Sequence, residues 1–328
     1  MSDPIRIGLV LGAGGLLGQS FHVGTLHAIR EVTGYDARDA DVIVGTSAGS
    51  GIGTFLRYGL SPGDLSAGYR GEAPSAAAAE AIQLLGPPVD LSGGPTLKFR
   101  GLERELLARI RRRIRNVPPM VALGALLPDG RLSTEEYRDQ VRRLTGMSWP
   151  TADLLICAVR RRDGRRVVFG NHHDTPIDVA DAVAASSAVP GFFAPVVLNG
   201  EEYLDGGLHS PTNADVLKTM PLHLVIVVSP MTAPTLEGMT PRMIMRRHFR
   251  NRLNRELEML TAAGIPTAVI EPTDAISDVM NGASMDREMQ GPVIALAQEH
   301  TTDWLSAGAQ RFVRGIFSRS AGSRSRSR

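Results

Sequence analysis

The first 60 residues repeat one pattern twice: a short apolar run, a glycine-rich turn, and a stretch with apolar residues at helical spacing. The first copy has its apolar run at 5–11 and its helical stretch at 19–32, and the second has them at 41–44 and 51–58. Uninterrupted apolar runs are typical of strands buried on both faces, and parallel strands need crossover helices between them. The pattern therefore predicts an α/β fold with a mainly parallel central sheet and helices on both faces, in three layers.

The alternation is interrupted at about 70–130 and then resumes. The interruption holds an alanine-rich piece, a Pro/Gly-rich loop, a basic amphipathic helix at 102–115 and an apolar stretch at 117–127, and such an insertion is either a substrate-facing lid or a cap on the core. Beyond it, Asp163-Gly164 and Asn199-Gly200 predict hairpins, because both dipeptides favour tight turns. Helices are predicted at 178–187, 254–263 and 291–305, and strands at 222–228 and 267–270.

Charge is distributed unevenly along the chain. The formal net charge is +2, but six arginines and no acidic residue follow Asp303, which leaves 30 basic and 34 acidic residues in the rest. A weakly acidic body does not suit nucleic-acid binding, so no nucleic-acid partner is expected. We expect one domain over 1–317 and a disordered tail over 318–328, because the tail is rich in Ser and Arg and has no apolar face.

Signals for export and membrane insertion are weak. The apolar run at 7–17 is interrupted by glycines and lacks a basic segment before it, which predicts a strand and a turn rather than a signal peptide. No stretch reaches the roughly 18 apolar residues of a membrane-spanning helix, so a cytoplasmic location is expected. The single cysteine, Cys157, excludes an intramolecular disulfide and a multi-cysteine metal site.

Gly45-Thr46-Ser47-Ala48-Gly49 matches the pattern G-x-S-x-G and lies between a predicted strand and a predicted helix. This is the context of a nucleophile elbow, in which flanking glycines permit a tight turn that presents the serine hydroxyl. The helix N-terminus behind Ser47 would favour a developing negative charge. The motif therefore predicts a nucleophilic Ser47, and the alternative is an ordinary Gly/Ser turn.

The glycine-rich segment Gly12 to Gly18 follows the first predicted strand directly. A dinucleotide-binding fingerprint fits poorly, because Leu17 stands where the third glycine of that motif belongs. A plain strand–helix turn is one alternative. The other is an oxyanion hole, since consecutive glycines leave backbone N–H groups that can converge on one anion.

A third motif, Asp205-Gly206-Gly207, follows a predicted hairpin strand. It could be only a turn, but Ser47 needs a base, and that base is usually a histidine oriented by an aspartate. His209 lies four residues after Asp205, yet no histidine stands in a sequence context that marks it as a triad member. His172 and His173 lack further ligands for a metal.

Together these motifs resemble the patatin-like phospholipases. The Gly-rich loop with the following Phe21-His22-Val23-Gly24, the elbow at Ser47, the segment 185–195 and Asp205-Gly206-Gly207 occur in that family's order. The resemblance covers roughly 5–230, with diverged material at 70–150. It implies hydrolysis of lipid carboxylic esters, as by a phospholipase A, without metal or cofactor.

The resemblance also implies a role for each motif residue. Ser47 is the expected nucleophile and Asp205 its base in a Ser–Asp dyad, and burial is expected to raise the pKa of Asp205. Gly14, Gly15 and Leu16 are the expected oxyanion-hole residues. The motif glycines that support these groups are Gly12, Gly18, Gly45, Gly49, Gly206 and Gly207.

The chain departs from the family's usual loop, G-G-G-x-R-G, at Ala13 and Leu17. One alternative is therefore a lipid- or fatty-acid-binding protein with weak or no turnover, and another is a Ser–Asp–His hydrolase. The basic cluster at 109–115 is either a solvated helix face or a contact surface for an anionic membrane. Met239, Met243, Met245 and Met259 are interpreted as packing residues.

Overall fold

A computed structural model of the 328-residue chain describes residues 5–86, 103–113, 118–171, 177–234, 241–282, 285–307, 313–317 and 320. His172, His173 and the Ser/Arg-rich tail, apart from Ser320, lie outside these residues. The strands are β1 (Ile7–Leu11), β2 (Val42–Thr46), β3 (Asp153–Arg160), β4 (Arg165–Gly170), β5 (Val196–Leu198), β6 (Glu201–Asp205), β7 (Leu224–Val228) and β8 (Thr267–Ile270).

Helices lie between most of the strands. They are α1 (Gly15–Thr33), α2 (Ala48–Arg57), α3 (Pro62–Arg70), α4 (Ala79–Leu85), α5 (Arg104–Arg113), α6 (Pro119–Leu126), α7 (Glu135–Thr145), α8 (Val179–Ser186), α9 (Pro241–Ala262), α10 (Asp274–Gly282) and α11 (Gln290–Ser306). None of those in the described part of the chain combines the length and apolarity that a membrane span requires.

The strands form one sheet in the order β5-β6-β3-β2-β1-β7-β8, with β4 also paired to β3. The strands β3, β2, β1, β7 and β8 lie next to one another in that order and pair in parallel. The pairs β3–β4, β3–β6 and β5–β6 are antiparallel. Helices of the kind that parallel strands require for their crossovers occupy the intervals after β1 and β2. The prediction of a mainly parallel central sheet is confirmed.

Alternate residues of the central strands face two different cores, which makes the fold three-layered. On β1, Leu9 and Leu11 belong to the larger apolar cluster, which includes side chains of α1, α2, α8 and α11. Val10 faces the other way, into a second cluster with Leu253 and Leu260 of α9. Both faces of β1 are therefore covered, which explains its uninterrupted apolar sequence.

Several element boundaries differ from the sequence predictions. The helix α1 begins at Gly15, directly after the glycine loop, and not at residue 19. The helix α9 begins at Pro241, well before the predicted 254, because its basic first half carries no regular apolar stripe for the pattern to detect. Proline is well suited to the first turn of a helix, where its missing N–H would have no partner.

Both predicted hairpins are present. Asn199 and Gly200 have φ of 50° and 80° between β5 and β6, as a type I′ turn requires, and Gly164 has φ of 65° between β3 and β4. The hairpin formed by β5 and β6 brings Asp205 back against β3. It is therefore the hairpin that positions the third sequence motif.

Candidate active site

Ser47 occupies the turn between β2 and α2 in a conformation that few residues adopt. Its φ is 52° and its ψ is −117°, which costs a non-glycine residue about 1–3 kcal/mol. Glycines on both sides make the turn sterically feasible. A Cβ on Gly49 would lie 1.9 Å from the carbonyl oxygen of Leu11, and one on Gly45 would lie 2.6 Å from Cα of Ser50. The result is a strained serine at the positive end of the α2 dipole.

Asp205, the last residue of β6, contacts Ser47 directly. Its carboxylate accepts hydrogen bonds from the Ser47 hydroxyl and from the N–H of Gly207, the latter at 2.6 Å. Both side chains are buried, with 6% of Ser47 and 5% of Asp205 exposed. Burial raises the pKa of Asp205 to about 6, against the opposing effect of the two hydrogen bonds. The expected upward shift of this pKa is confirmed.

The backbone of β3 explains how two distant motifs meet. Residues of β2 pair with β3 as far as Thr46 opposite Cys157, and β6 takes over at the next residue, with Asp205 opposite Ala158. The other edge of β3 pairs with β4 from Leu155 to Arg160, a stretch that includes both Cys157 and Ala158. The ends of β2 and β6 therefore meet along one edge of β3, which places the residue after Thr46 beside Asp205.

The glycine loop lies at the N-terminus of α1. The N–H groups of Gly12 and Ala13 donate to the carbonyls of Val228 and Pro211, at 3.0 and 2.8 Å. The next N–H groups belong to the first turn of α1, where a helix has no internal acceptors for them. Gly14 and Gly15 line the same cavity as Ser47 and Asp205, whereas Leu16, although described, does not. The N-terminal end of α1 thus lies at the wall of the cavity that Ser47 and Asp205 also line.

His22 supports the glycine loop, a contact that the sequence did not predict. Its Nε2 lies 2.7 Å from the carbonyl oxygen of Gly12, which can only accept, so this nitrogen donates. The ring is fully buried, and burial lowers its pKa to about 4, which keeps it neutral. The sequence signal for this residue is a histidine on the apolar face of the helix that follows the loop.

Leu17, which stands where the family's loop usually has arginine, does not face the cavity. Its side chain is fully buried and packs in the larger apolar cluster. Gly18 donates its N–H to the carbonyl of Gly14 at 2.9 Å, as a regular first helical turn requires. The departure at Leu17 therefore leaves the backbone of the helix end regular.

His209 is not placed as a partner of Ser47. Its Nε2 accepts a hydrogen bond from Arg252 at 2.8 Å. Burial, together with the nearby charges of Arg166 and Arg252, lowers its pKa to about 3. It does not line the cavity, and neither does any other histidine within the described ranges. A Ser–Asp–His arrangement therefore finds no support in the positions of these side chains.

The cavity at Ser47 has a volume of about 410 Å³ and mostly apolar walls. Apart from Ser47, Asp205 and Arg246, its described lining residues are glycine or apolar. The larger apolar side chains are Met120, Phe192, Phe193, Leu208, Met231, Met245, Phe249, Met280 and Met285. Met245 lines this space with 41% of its surface exposed, so its interpretation as a packing residue is wrong.

No metal site accompanies this arrangement in the part of the chain that is described. Within those residues, no three His, Cys, Asp or Glu side chains are grouped closely enough to hold an ion. Cys157 is buried, and burial raises the pKa of its thiol to about 12, so the thiol is neutral at physiological pH. The described polar side chains at the cavity wall are thus those of Ser47, Asp205 and Arg246.

Comparison with known proteins gives a family match. The model of the family described as patatin-like phospholipase matches residues 9–218, which is more than half of the chain. Among solved structures, the crystal structure of VipD from Legionella pneumophila is similar at a TM-score of 0.39 and 11% identity, over 91% of this chain and 67% of that one. No curated protein matches.

Proposed function

This chain belongs to the patatin-like phospholipase family, and we propose that it hydrolyses carboxylic esters of lipids with Ser47 as nucleophile and Asp205 as base. The observation that carries the proposal is the hydrogen bond from the Ser47 hydroxyl to the buried Asp205 carboxylate. A carboxylate whose pKa is near 6 is a stronger base than an ordinary aspartate and is still ionised at neutral pH.

In the first half of the reaction, Ser47 Oγ attacks the ester carbonyl and its proton passes to Asp205. The carbonyl oxygen becomes an oxyanion, and the N–H groups of Gly14, Gly15 and Leu16 stabilise it in the tetrahedral intermediate. When the C–O bond of the ester breaks, the leaving alkoxide takes the proton from Asp205. An acyl group then remains on Ser47, and Asp205 is again a carboxylate.

In the second half, Asp205 accepts a proton from water as the water attacks the acyl carbonyl. The same amides hold the second oxyanion, and the fatty acid leaves as Ser47 recovers its proton from Asp205. The apolar wall of the cavity suits an acyl chain, because burying each methylene contributes about 0.8 kcal/mol. The buried position of Leu17 leaves the helix end intact, which favours a hydrolase over a non-catalytic lipid-binding protein.

A fluorophosphonate probe tests the nucleophile. Wild-type protein should be labelled and should hydrolyse a p-nitrophenyl ester, and Ser47→Ala should lose both properties. Ser133→Ala, which changes an exposed serine far along the chain, is the matched control and should behave as wild type. A wild-type protein that binds fatty acid but is neither labelled nor active would instead favour the lipid-binding alternative. Activity lost in His209→Ala at wild-type stability would favour the triad.

We also propose that the cavity opens towards an anionic membrane surface. Phe192 and Met245 line the cavity and are 47% and 41% exposed. Met120, another lining residue, lies one helical turn before Leu123 on α6, and Leu127 directly follows that helix; the two leucines are 50% and 43% exposed. Apolar side chains exposed around a cavity mouth suit insertion among lipid head groups.

Arginine side chains near these exposed apolar residues suit a surface of anionic lipid. Leu106 of α5 and Val121 of α6 belong to the same apolar cluster, so the basic helix α5 lies close to α6. Arg104 and Arg111 on α5 are exposed. Leu123→Ser with Leu127→Ser should reduce sedimentation with vesicles of anionic phospholipid, with hydrolysis of a soluble ester unchanged. Val197→Ser, at a residue 61% exposed on β5, is the matched control; equal effects of both changes would count against this surface.

A further inference from the structure

Ser186, the last residue of α8, lies behind the elbow and outside the cavity lining. Its hydroxyl is fully buried and makes two hydrogen bonds. It accepts from the backbone N–H of Ser47 at 2.8 Å and donates to the carbonyl oxygen of Cys157 at 2.7 Å. A serine hydroxyl can donate one hydrogen bond and can also accept, so these two partners use both its donor and its acceptor capacity.

The two partners of Ser186 belong to the segments that form the site. Ser47 holds positive φ, and such a conformation persists only where its surroundings enforce it. Cys157 is the residue of β3 that pairs with Thr46, immediately before Ala158, which pairs with Asp205. The Ser186 hydroxyl therefore links the amide of the strained residue to the strand on which β2 and β6 meet.

The same short segment also holds Asp205. Two residues after Ser186, the carbonyl of Ala188 accepts the backbone N–H of Asp205 at 2.9 Å. Close packing at Cys157 reinforces this arrangement, since a Cβ on Gly206 would lie 2.1 Å from the Cys157 carbonyl oxygen. The segment 186–188 thus contacts the backbone of both Ser47 and Asp205 and sets the distance between them.

We propose that Ser186 is a positioning residue for hydrolysis, which aligns the Ser47 hydroxyl with Asp205 through the Ser47 backbone. This inference rests on the proposed roles of those two residues. Removing the hydroxyl leaves a buried N–H and a buried carbonyl without their partner, and the elbow can then relax towards an ordinary conformation. A shift of about 1 Å between reacting groups can reduce a rate by on the order of 100-fold.

The test compares Ser186→Ala with Ser187→Ala. Ser187 is the neighbouring serine, and its side chain is half-buried rather than fully buried. Active sites are counted by fluorophosphonate labelling, and kcat and KM for a soluble p-nitrophenyl ester are expressed per labelled site. We expect Ser186→Ala to lower kcat per site by about 10- to 100-fold, to slow labelling, and to leave KM within about threefold, whereas Ser187→Ala stays at wild-type values.

Unchanged kcat per labelled site in Ser186→Ala, with only a lower unfolding temperature or a smaller labelled fraction, would overturn the inference and make the residue purely structural. If Ser186→Ala does not fold, Ser186→Cys replaces it, since a thiol has the same shape as the hydroxyl at a modestly larger size and forms weaker hydrogen bonds. The kcat per labelled site of Ser186→Cys should be lower than that of wild type, and a wild-type value would again overturn the inference. A wild-type protein without labelling or activity would instead reject the proposed function.

Discussion

The cavity has two walls that are built in different ways. One wall consists of the ends of β2 and β6 and the start of α1, where Ser47, Asp205 and Gly14 are held by hydrogen bonds and by close backbone contacts. The other consists of side chains such as Met120, Met245 and Phe192, which come from helices and loops and are partly exposed. The first wall has little tolerance for added atoms, whereas the second consists of bulky apolar side chains that can repack.

The largest effect is expected from Asp205→Asn on the first wall. Asparagine keeps the shape and can accept from Gly207 but cannot take the Ser47 proton, so kcat should fall by about 10²- to 10⁴-fold. Ester hydrolysis per folded protein is the measurement. Asp139→Asn, at an exposed residue, is the matched control. Retained hydrolysis in Asp205→Asn would remove the carboxylate from the mechanism.

The same variant should be more stable than wild type at pH 8. The folded state keeps the Asp205 proton up to about pH 6, whereas an unfolded aspartate releases it near 3.8, so wild-type stability declines as the pH rises through this interval. At 1.36 kcal/mol per pKa unit, the asparagine should gain about 2–3 kcal/mol at pH 8 and nothing at pH 4. Denaturant unfolding at both pH values measures this, and an equal difference at both would contradict it.

A single methyl group should disrupt the close packing of the first wall. In Gly206→Ala the new Cβ would overlap the Cys157 carbonyl, which lies 2.1 Å away, and we expect a loss of about 3 kcal/mol or more. Gly68→Ala, where the nearest atom is 3.5 Å away within α3, is the control and should be neutral or slightly stabilising. Similar unfolding free energies for the two variants would show that the wall is not tightly packed.

The pH dependence of the wild-type protein is expected to follow the ionisation of Asp205. Only the carboxylate can accept the Ser47 proton, so kcat/KM for a soluble ester should rise about tenfold between pH 5 and 7, with a midpoint near the Asp205 pKa of about 6. Thermal unfolding at each pH separates this effect from loss of the fold. A midpoint near 4 would mean that the buried carboxylate is not the base.

The smallest effects are expected on the second wall. Leucine and methionine are similar in volume, so Met120→Leu and Met245→Leu should each change kcat/KM for a short soluble ester by less than about threefold and stability by less than about 1.5 kcal/mol. Measuring a series of esters of increasing acyl length would reveal any change in chain preference. A tenfold loss on the short ester would place these side chains in direct contact with the reacting atoms and remove the contrast between the walls.

The first wall was largely predictable from sequence, because most of it is built from short contiguous motifs. The elbow is formed by five contiguous residues, and the start of α1 lies within a glycine-rich segment that follows a strand, so both can be identified from short patterns. Pairing Ser47 with Asp205 depended on resemblance to a family, because no local pattern joins residues so far apart. His22 and Ser186 were present in the quoted motifs, but the sequence did not indicate their contacts with Gly12 and Ser47.

The second wall could not be predicted in the same way. Met120, Met231, Met245 and Met280 come from four separate segments, and each looks like an ordinary packing residue in its own segment. Methionine has no strong positional signature, and the start of α9, which carries Met245, was itself missed. A cavity exists only where segments fail to fill the space between them, and that is a property of their arrangement.

The sequence alone therefore determined the alternation of strands and helices, the parallel sheet, and the three motifs, because backbone propensity and apolar pattern act over a few neighbouring residues. The tertiary structure decided that β2 and β6 end side by side on β3, that burial raises the pKa of Asp205 to about 6, and that apolar side chains enclose Ser47. Proximity, desolvation and enclosure each depend on residues distant in the chain, so they arise only when the whole fold has formed.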